Sequence, residues 1–399
     1  MKKQMIFAAI AALTLASCAK IETMNTTREL DEPAAIGFTN YAPRSLTKAD
    51  GTYAASTSLI AGKKFAVYSY ATANGTAWAS NAIGTQFMNG VEVTYTNNEN
   101  NGANNGYAPL RYWPSGDTPD WLTFWAYYPV QDNNGITYTA PTGSNGVGTY
   151  TFTAATAAAD MVDFMVSDVV NDKIYGESEG GHNAVNGVVA LTFRHQLTKI
   201  AIKFKTDNSD ANTDIVLTGA SLKNIKNSGT LTTTYANPLT TNWSANAVTD
   251  SNSDGIGDVV YAVTLSGAAI SNEVLTSSPV GGADADLFLM IPQTMLANNA
   301  SYAQYLEVSW QVKTYAAADA GNHASATPLS TTTNTKKLYF DDCTLYTTPD
   351  EGDPAAVDNN DWARNQFTTY TVTVGPKPIR FTATVAGWDD ETTGSFNAQ

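Results

Sequence analysis

Cysteine is nearly missing: the chain has two in 399 residues, Cys18 and Cys343. A disulfide framework is therefore not what holds it together, and stability must come from packed cores. Positive charge is scarce as well. Lys and Arg number 22 against 37 Asp and Glu, a formal charge of −15. Such a surface repels phosphate backbones, which argues against nucleic acid as a partner. Histidine occurs three times, as His182, His195 and His323, without metal-ligand spacing. Charged residues make up only 15% of the chain, so Thr, Asn, Ser and Gly supply the polar surface. That composition suits a β-rich extracellular protein.

Long apolar runs are also missing, apart from residues 5–15. That stretch is shorter than the roughly 20 residues of a membrane-spanning helix. It follows Met1-Lys2-Lys3-Gln4 and ends in Leu15-Ala16-Ser17-Cys18. A basic start, a short apolar core and small residues before a cysteine read as a lipoprotein signal peptide over residues 1–17, with Cys18 lipidated after cleavage. Each buried acyl methylene contributes about 0.8 kcal/mol, and two or more chains anchor stably. Cys343 is then the lone thiol. It follows Asp341-Asp342 and has no basic neighbour, so it reads as buried or inert.

Residues 18–34 are polar and read as a tether. Beyond them the apolar period is two. Residues 65–70, 91–96 and 149–153 alternate, while Trp121-Leu122-Thr123-Phe124-Trp125-Ala126-Tyr127-Tyr128 is continuously apolar, as in a strand buried on both faces. Asn- and Gly-rich runs at 97–106 and 132–135 are turn chemistry. Residues 154–160 are alanine-rich and read as a helical turn. Residues 175–187 are small and polar, the best place for a domain boundary. Strands continue at 188–193, 197–204, 215–217, 231–235, 259–265, 287–291, 306–312, 369–374 and 379–385. In the second of these Ile200, Ile202 and Phe204 share a face. Strands at this spacing without amphipathic helices predict an all-β protein of two tandem β-sandwich domains, residues 35–187 and 188–399.

Motifs with chemistry are few. Asp250, Asn252, Asp254, the Ile256 carbonyl and Asp258, with Gly255 at the turn, match the first nine positions of a calcium loop. Tyr261 stands where a bidentate carboxylate belongs, and an Asp/Asn/Gly turn between strands is the competing reading. If calcium binds, it stiffens a loop and does no catalysis; no other cofactor is expected. The acidic residues 341–361 read as a solvated loop. Trp121, Trp125, Tyr127 and Tyr128 read as core rather than a sugar-stacking platform. No nucleophile elbow, phosphate-cradling loop or Cys–His pair is present, so the chain does not read as an enzyme.

Several segments, in order, resemble the fimbrillin (Mfa-like) family, lipoprotein subunits of type V pili of Bacteroidia-type bacteria. They are Ile36-Gly37-Phe38 with Leu46-Thr47-Lys48-Ala49; Tyr112-Trp113-Pro114; Leu122-Thr123-Phe124-Trp125-Ala126-Tyr127-Tyr128-Pro129; and Val162-Asp163-Phe164-Met165. Further on come Leu191-Thr192-Phe193-Arg194-His195-Gln196-Leu197, like the first strand of the family's C-terminal domain; Phe288-Leu289-Met290-Ile291-Pro292-Gln293; Trp362-Ala363-Arg364-Asn365-Gln366; and Val385-Ala386-Gly387-Trp388. The resemblance implies transthyretin-like, Greek-key sandwiches and a fimbrial subunit or fimbria-associated adhesin at the outer membrane. It implies lipidation, removal of a first strand (residues 35–43) by a cut at Arg44 or Lys48, and strand exchange with other fimbrial subunits. A host or bacterial surface receptor or glycan is the outward partner. After Trp388 only Phe396 and Ala398 suit a donated strand, which favours a tip, anchor or stand-alone role over a stalk. The alternative is a monomeric surface glycan-binding lipoprotein that never polymerises.

Overall fold

The computed structural model describes residues 34–41, 45–49, 52–56, 59, 61–78, 84–96, 106–130, 135–142, 146–176, 182–184, 187–265, 267, 269–270, 275–276, 287–347, 356–357, 360–375 and 380–387. The first half carries β1 (Gly37–Tyr41), β2 (Ser45–Ala49), β3 (Thr52–Ser56), β4 (Lys64–Thr72), β5 (Thr85–Thr94), β6 (Trp121–Val130), β7 (Ile136–Thr139), β8 (Gly146–Thr153), β9 (Met165–Ser167) and β10 (Val170–Lys173). The second carries β11 (Val188–His195), β12 (Thr198–Thr206), β13 (Thr213–Lys223), β14 (Ser228–Thr234), β15 (Thr240–Ala245), β16 (Tyr261–Ala262), β17 (Leu275–Thr276), β18 (Phe288–Met290), β19 (Tyr305–Thr314), β20 (Ser330–Tyr339), β21 (Thr344–Thr347), β22 (Ala356–Val357), β23 (Gln366–Val374) and β24 (Arg380–Gly387). Among the described residues there is no α-helix, and the alanine-rich 154–160 segment forms only a 3-10 turn at Ala158–Asp160.

Four sheets stack in two pairs. The first has the order β1-β11-β9-β6-β4-β5, with β10 also on β6, and faces a sheet of order β15-β14-β8-β7. Of the second pair, one sheet runs β17-β12-β23-β24-β21-β22 with β18 on β12, and the other runs β16-β13-β19-β20. The hairpin β2-β3 stands apart.

The period-two pattern explains the layers. In β6, Leu122, Phe124, Ala126 and Tyr128 point to one core, while Trp125 points to the other; all five are fully buried. Its apolar run is continuous because both faces are covered. Tyr68 of β4 lies 3.9 Å from Tyr138 of β7, ring to ring, which binds the first two sheets. In β12, Ile200, Ile202 and Phe204 share the core face as expected, opposite Ile215, Leu217 and Leu222 of β13.

The two halves of the sequence interleave. The strand expected to open the second domain, β11, lies inside the first sheet, parallel to β1 and antiparallel to β9. Its Val189, Leu191 and Phe193 bury with Phe38 and Phe65, which is the apolar face that decides its place. Likewise β14 and β15 extend the sheet begun by β8. A further tie is Asp168, which accepts a forked pair of bonds from Arg194 and the N–H of Leu239 at 3.1 Å. Most of the small polar stretch 175–187, expected as the domain boundary, lies outside the described residues.

Candidate functional site

The first strand is the feature with functional geometry. β1 ends its sheet, paired in parallel with β11 from Gly37↔Val188 to Tyr41↔Thr192. Ile36 and Phe38, two residues apart, point the same way and are each 1% exposed. Phe38 sits among three rings: Phe65 at 6.4 Å, Tyr107 at 5.7 Å and Phe124 at 6.1 Å. Thr39 between strand and solvent is exposed, and so is Tyr41. Asn40 is half-buried, and its Oδ1 accepts the Leu59 N–H at 3.3 Å.

Residues 107–113 hold the start of this strand. The Ile36 N–H donates to the Arg111 carbonyl and the Trp113 N–H to the Ala34 carbonyl, both at 2.9 Å. The Tyr107 hydroxyl donates to the Ile36 carbonyl at 2.8 Å. Burial raises the Tyr107 phenol above its ordinary value, so it stays a donor. The Trp113 indole N–H donates to the Gly187 carbonyl at 3.0 Å. Gly187 has φ +74°, and a Cβ there would lie 3.3 Å from the Ala35 carbonyl oxygen. Residues 34–36 are therefore gripped through their main chain, while the Ile36 and Phe38 side chains occupy defined pockets. Tyr112-Trp113-Pro114 is visible in the sequence; Tyr107, beside an Asn/Gly run, carries no such signal.

The other sequence-level candidates lie elsewhere. Cys18 and Arg44 are outside the described residues. Lys48 lies in β2, opposite Tyr53 of β3. In the 250–258 loop, Asp250 accepts the Gly255 N–H at 2.9 Å, the Asp254 N–H at 3.3 Å and the Tyr302 hydroxyl at 3.2 Å. Asp254 Oδ1 accepts the Ile256 N–H, Asn252 Oδ1 the Asp254 N–H, and Asp258 both the N–H and hydroxyl of Ser251. Partial desolvation lifts the Asp250 carboxyl, but the bonds from Gly255, Tyr302 and Asp254 together outweigh it and hold the group below its usual range. Among the described residues no group of three or more His, Cys, Asp or Glu converges to hold a metal ion.

The histidines have structural partners. His195 is buried against Asp163 at 2.9 Å, His182 meets the Asp172 carbonyl at 2.7 Å, and His323 meets Asp214 at 2.9 Å. Asp361 caps the Met295 N–H at 2.9 Å. Cys343 is buried, and desolvation pushes its thiol up to about 12. In the aromatic run, Trp125 and Tyr128 are fully buried and Trp121 and Tyr127 half-buried, which is core packing.

The fold is one of paired β-sheets with a deeply seated edge strand, β1. The chain belongs to the fimbrillin-like family, whose sequence model matches residues 47–388. Members of this family are surface-exported and structural rather than enzymatic. Among solved structures, a fimbrial protein from Bacteroides vulgatus shares the fold, with 21% identity and a TM-score of 0.54 over 89% of this chain and 99% of that one. A fimbrilin (FimA) from Porphyromonas gingivalis matches at 12% identity and a TM-score of 0.37, over 90% of this chain and 98% of that one. The tip fimbrial protein Mfa3 from the same organism, C-terminally truncated, matches at 8% identity and 0.33, over 87% and 99%. Comparison with curated proteins finds no match.

Proposed function

We propose that this chain is a fimbrial subunit or fimbria-associated adhesin built into its assembly by exchange of the first strand. The observation that carries the reading is β1 itself. It bonds along its length to one strand of the sheet, β11, and fills two deep pockets with Ile36 and Phe38. A strand joined by an unbroken sheet on one side only can leave without dismantling its neighbours. What it leaves behind is an unpaired edge and an apolar slot, a ready acceptor for a strand from another subunit.

In this scheme the chain is exported, lipidated at Cys18 and held at the outer membrane through the tether 18–34. A surface protease cuts at Arg44 or Lys48. The freed β1 departs, and another subunit supplies its replacement. The exposed end of the assembly meets a host or bacterial receptor or glycan.

Mass spectrometry of protein released from intact cells, read for its N-terminus, tests this. Chains beginning at Ser45 or Ala49, with a ladder of high-mass species on mild gels, support strand exchange. Chains still beginning at lipidated Cys18, without a ladder, would leave a monomeric glycan-binding lipoprotein.

A further inference from the structure

Resting on the strand-exchange reading, we infer that residues 107–113 and the pocket of Phe38 together select the incoming strand. The partner they fit is an extended segment of another polypeptide with a branched aliphatic residue, an aromatic residue two positions on and a side-chain oxygen acceptor two further, running in the direction of β1.

Two kinds of contact support this, and they do different work. The first reads main chain only. Arg111 offers its carbonyl, Trp113 its N–H and Tyr107 its hydroxyl, and all three engage backbone atoms of residues 34–36. Nothing in those bonds depends on the side chains at 34–36, so the same groups can grip any extended segment that lacks proline at the Ile36 position. They also set direction. Residues 111–113 run antiparallel to residues 34–36, whereas β11 runs parallel to β1, so the strand's start lies between two partners of fixed polarity. A strand entering the other way would lose the three bonds.

The second kind of contact reads side chains. The Phe38 pocket is walled by Phe65, Tyr107 and Phe124, three rings within 6.4 Å, which is a space for another ring. Ile36 fills the neighbouring site at 1% exposure. At the third position the half-buried Asn40 answers the Leu59 N–H, so an amide or hydroxyl oxygen suits it and an aliphatic group leaves that donor unmet. Tyr107 belongs to both sets. Its ring borders Phe38 and its hydroxyl holds the Ile36 carbonyl, so it couples register to identity.

Within this chain, residues 388–399 make a poor match. Setting Phe396 in the Phe38 pocket puts Gly394 at the Ile36 site and Ala398 at the Asn40 site. The favoured partner is thus a strand of different sequence from that segment.

The test uses the full chain cut at Arg44 or Lys48 and a fluorescent peptide of residues 34–41, followed by anisotropy. The unmodified peptide should displace the resident strand. Replacing Phe38 by Ala in the peptide should weaken capture by at least about a hundredfold. Methylating the peptide's Ile36 nitrogen, or Tyr107→Phe in the chain, should each weaken it by about five- to tenfold. A peptide of residues 388–399 should compete far less well than that of residues 34–41. If the unmodified peptide enters but the altered ones and the 388–399 peptide enter equally well, the selectivity is overturned while strand exchange stands. If the unmodified peptide does not enter the cut chain at all, strand exchange itself fails and the inference with it.

Discussion

Phe38 at the edge of the first sheet meets Phe124 on a central strand edge-to-face, their centroids 6.1 Å apart. A residue near the start of the chain is thereby part of the first core rather than a loose end. Phe38→Ala in the uncut chain should cost about 3–5 kcal/mol, the usual range for a buried aromatic removed from a packed site. Thr39→Ala, one residue on but exposed, should stay within about 0.5 kcal/mol. Urea denaturation of the two variants beside the parent protein checks the contrast, and equal midpoints would refute the packing described for β1.

Gly187 holds a left-handed backbone, φ +74°, where Trp113 and the Ala35 carbonyl close in. Gly187→Ala should destabilise the protein by about 1–2 kcal/mol, the penalty for an L side chain in that region. The readout is again the urea midpoint. Gly116, also at positive φ but with open space around it, should show the backbone penalty without the contact with Trp113.

The loop at 250–258 predicts a dependence on acid. The Asp250 carboxyl is held below the usual carboxylate range in the folded protein, and Asp210 is too, through the Asn212 N–H and the Thr213 hydroxyl. A depressed folded value means the contribution is fully present above about pH 4 and is lost as pH falls through the lower folded value. Melting temperature should therefore drop between about pH 4 and pH 2, and less steeply in Asp250→Asn. Thermal melts across that range decide it; identical slopes in parent and variant would remove Asp250 from the account.

Cys343 is buried beside the Phe381 carbonyl, 3.8 Å from its sulfur, and its thiol is pushed up to about 12. In a Cys18→Ser variant, iodoacetamide at pH 8.5 should leave the folded protein unmodified for hours and alkylate it fully in guanidinium. Intact-mass measurement separates the two. Rapid labelling of the folded protein would mean that Cys343 is reached through local opening.

How far the sequence could be read varied with how much each segment buries. β4, β6 and β12 were legible because their apolar residues alternate or run unbroken over buried faces. β20 was not. Ser330–Tyr339 is Thr- and Lys-rich and mostly exposed, and it is a strand because all ten of its residues pair with β19. The strand expected over 259–265 shrinks to Tyr261–Ala262, paired with β13, although Tyr261 and Val263 both reach the core. Of the candidate site, Ile36-Gly37-Phe38 stood out in the sequence, whereas the grip of Tyr107 and Arg111 acts on main-chain atoms and leaves no residue pattern.

The sequence by itself determined an acidic chain with the strand pattern of an all-β protein, because charge is additive and the period of two is a local property of each segment. It also singled out Ile36-Gly37-Phe38, through resemblance to a family's opening strand. Which strands meet was decided only in three dimensions. β1 lies beside β11, and β8 beside β14, although long stretches of chain separate each pair. The entropy of closing such loops rises only slowly with length, so distance along the chain does little to choose a partner. Complementary burial and free main-chain hydrogen bonds choose it instead, and those exist only once the other strands are in place.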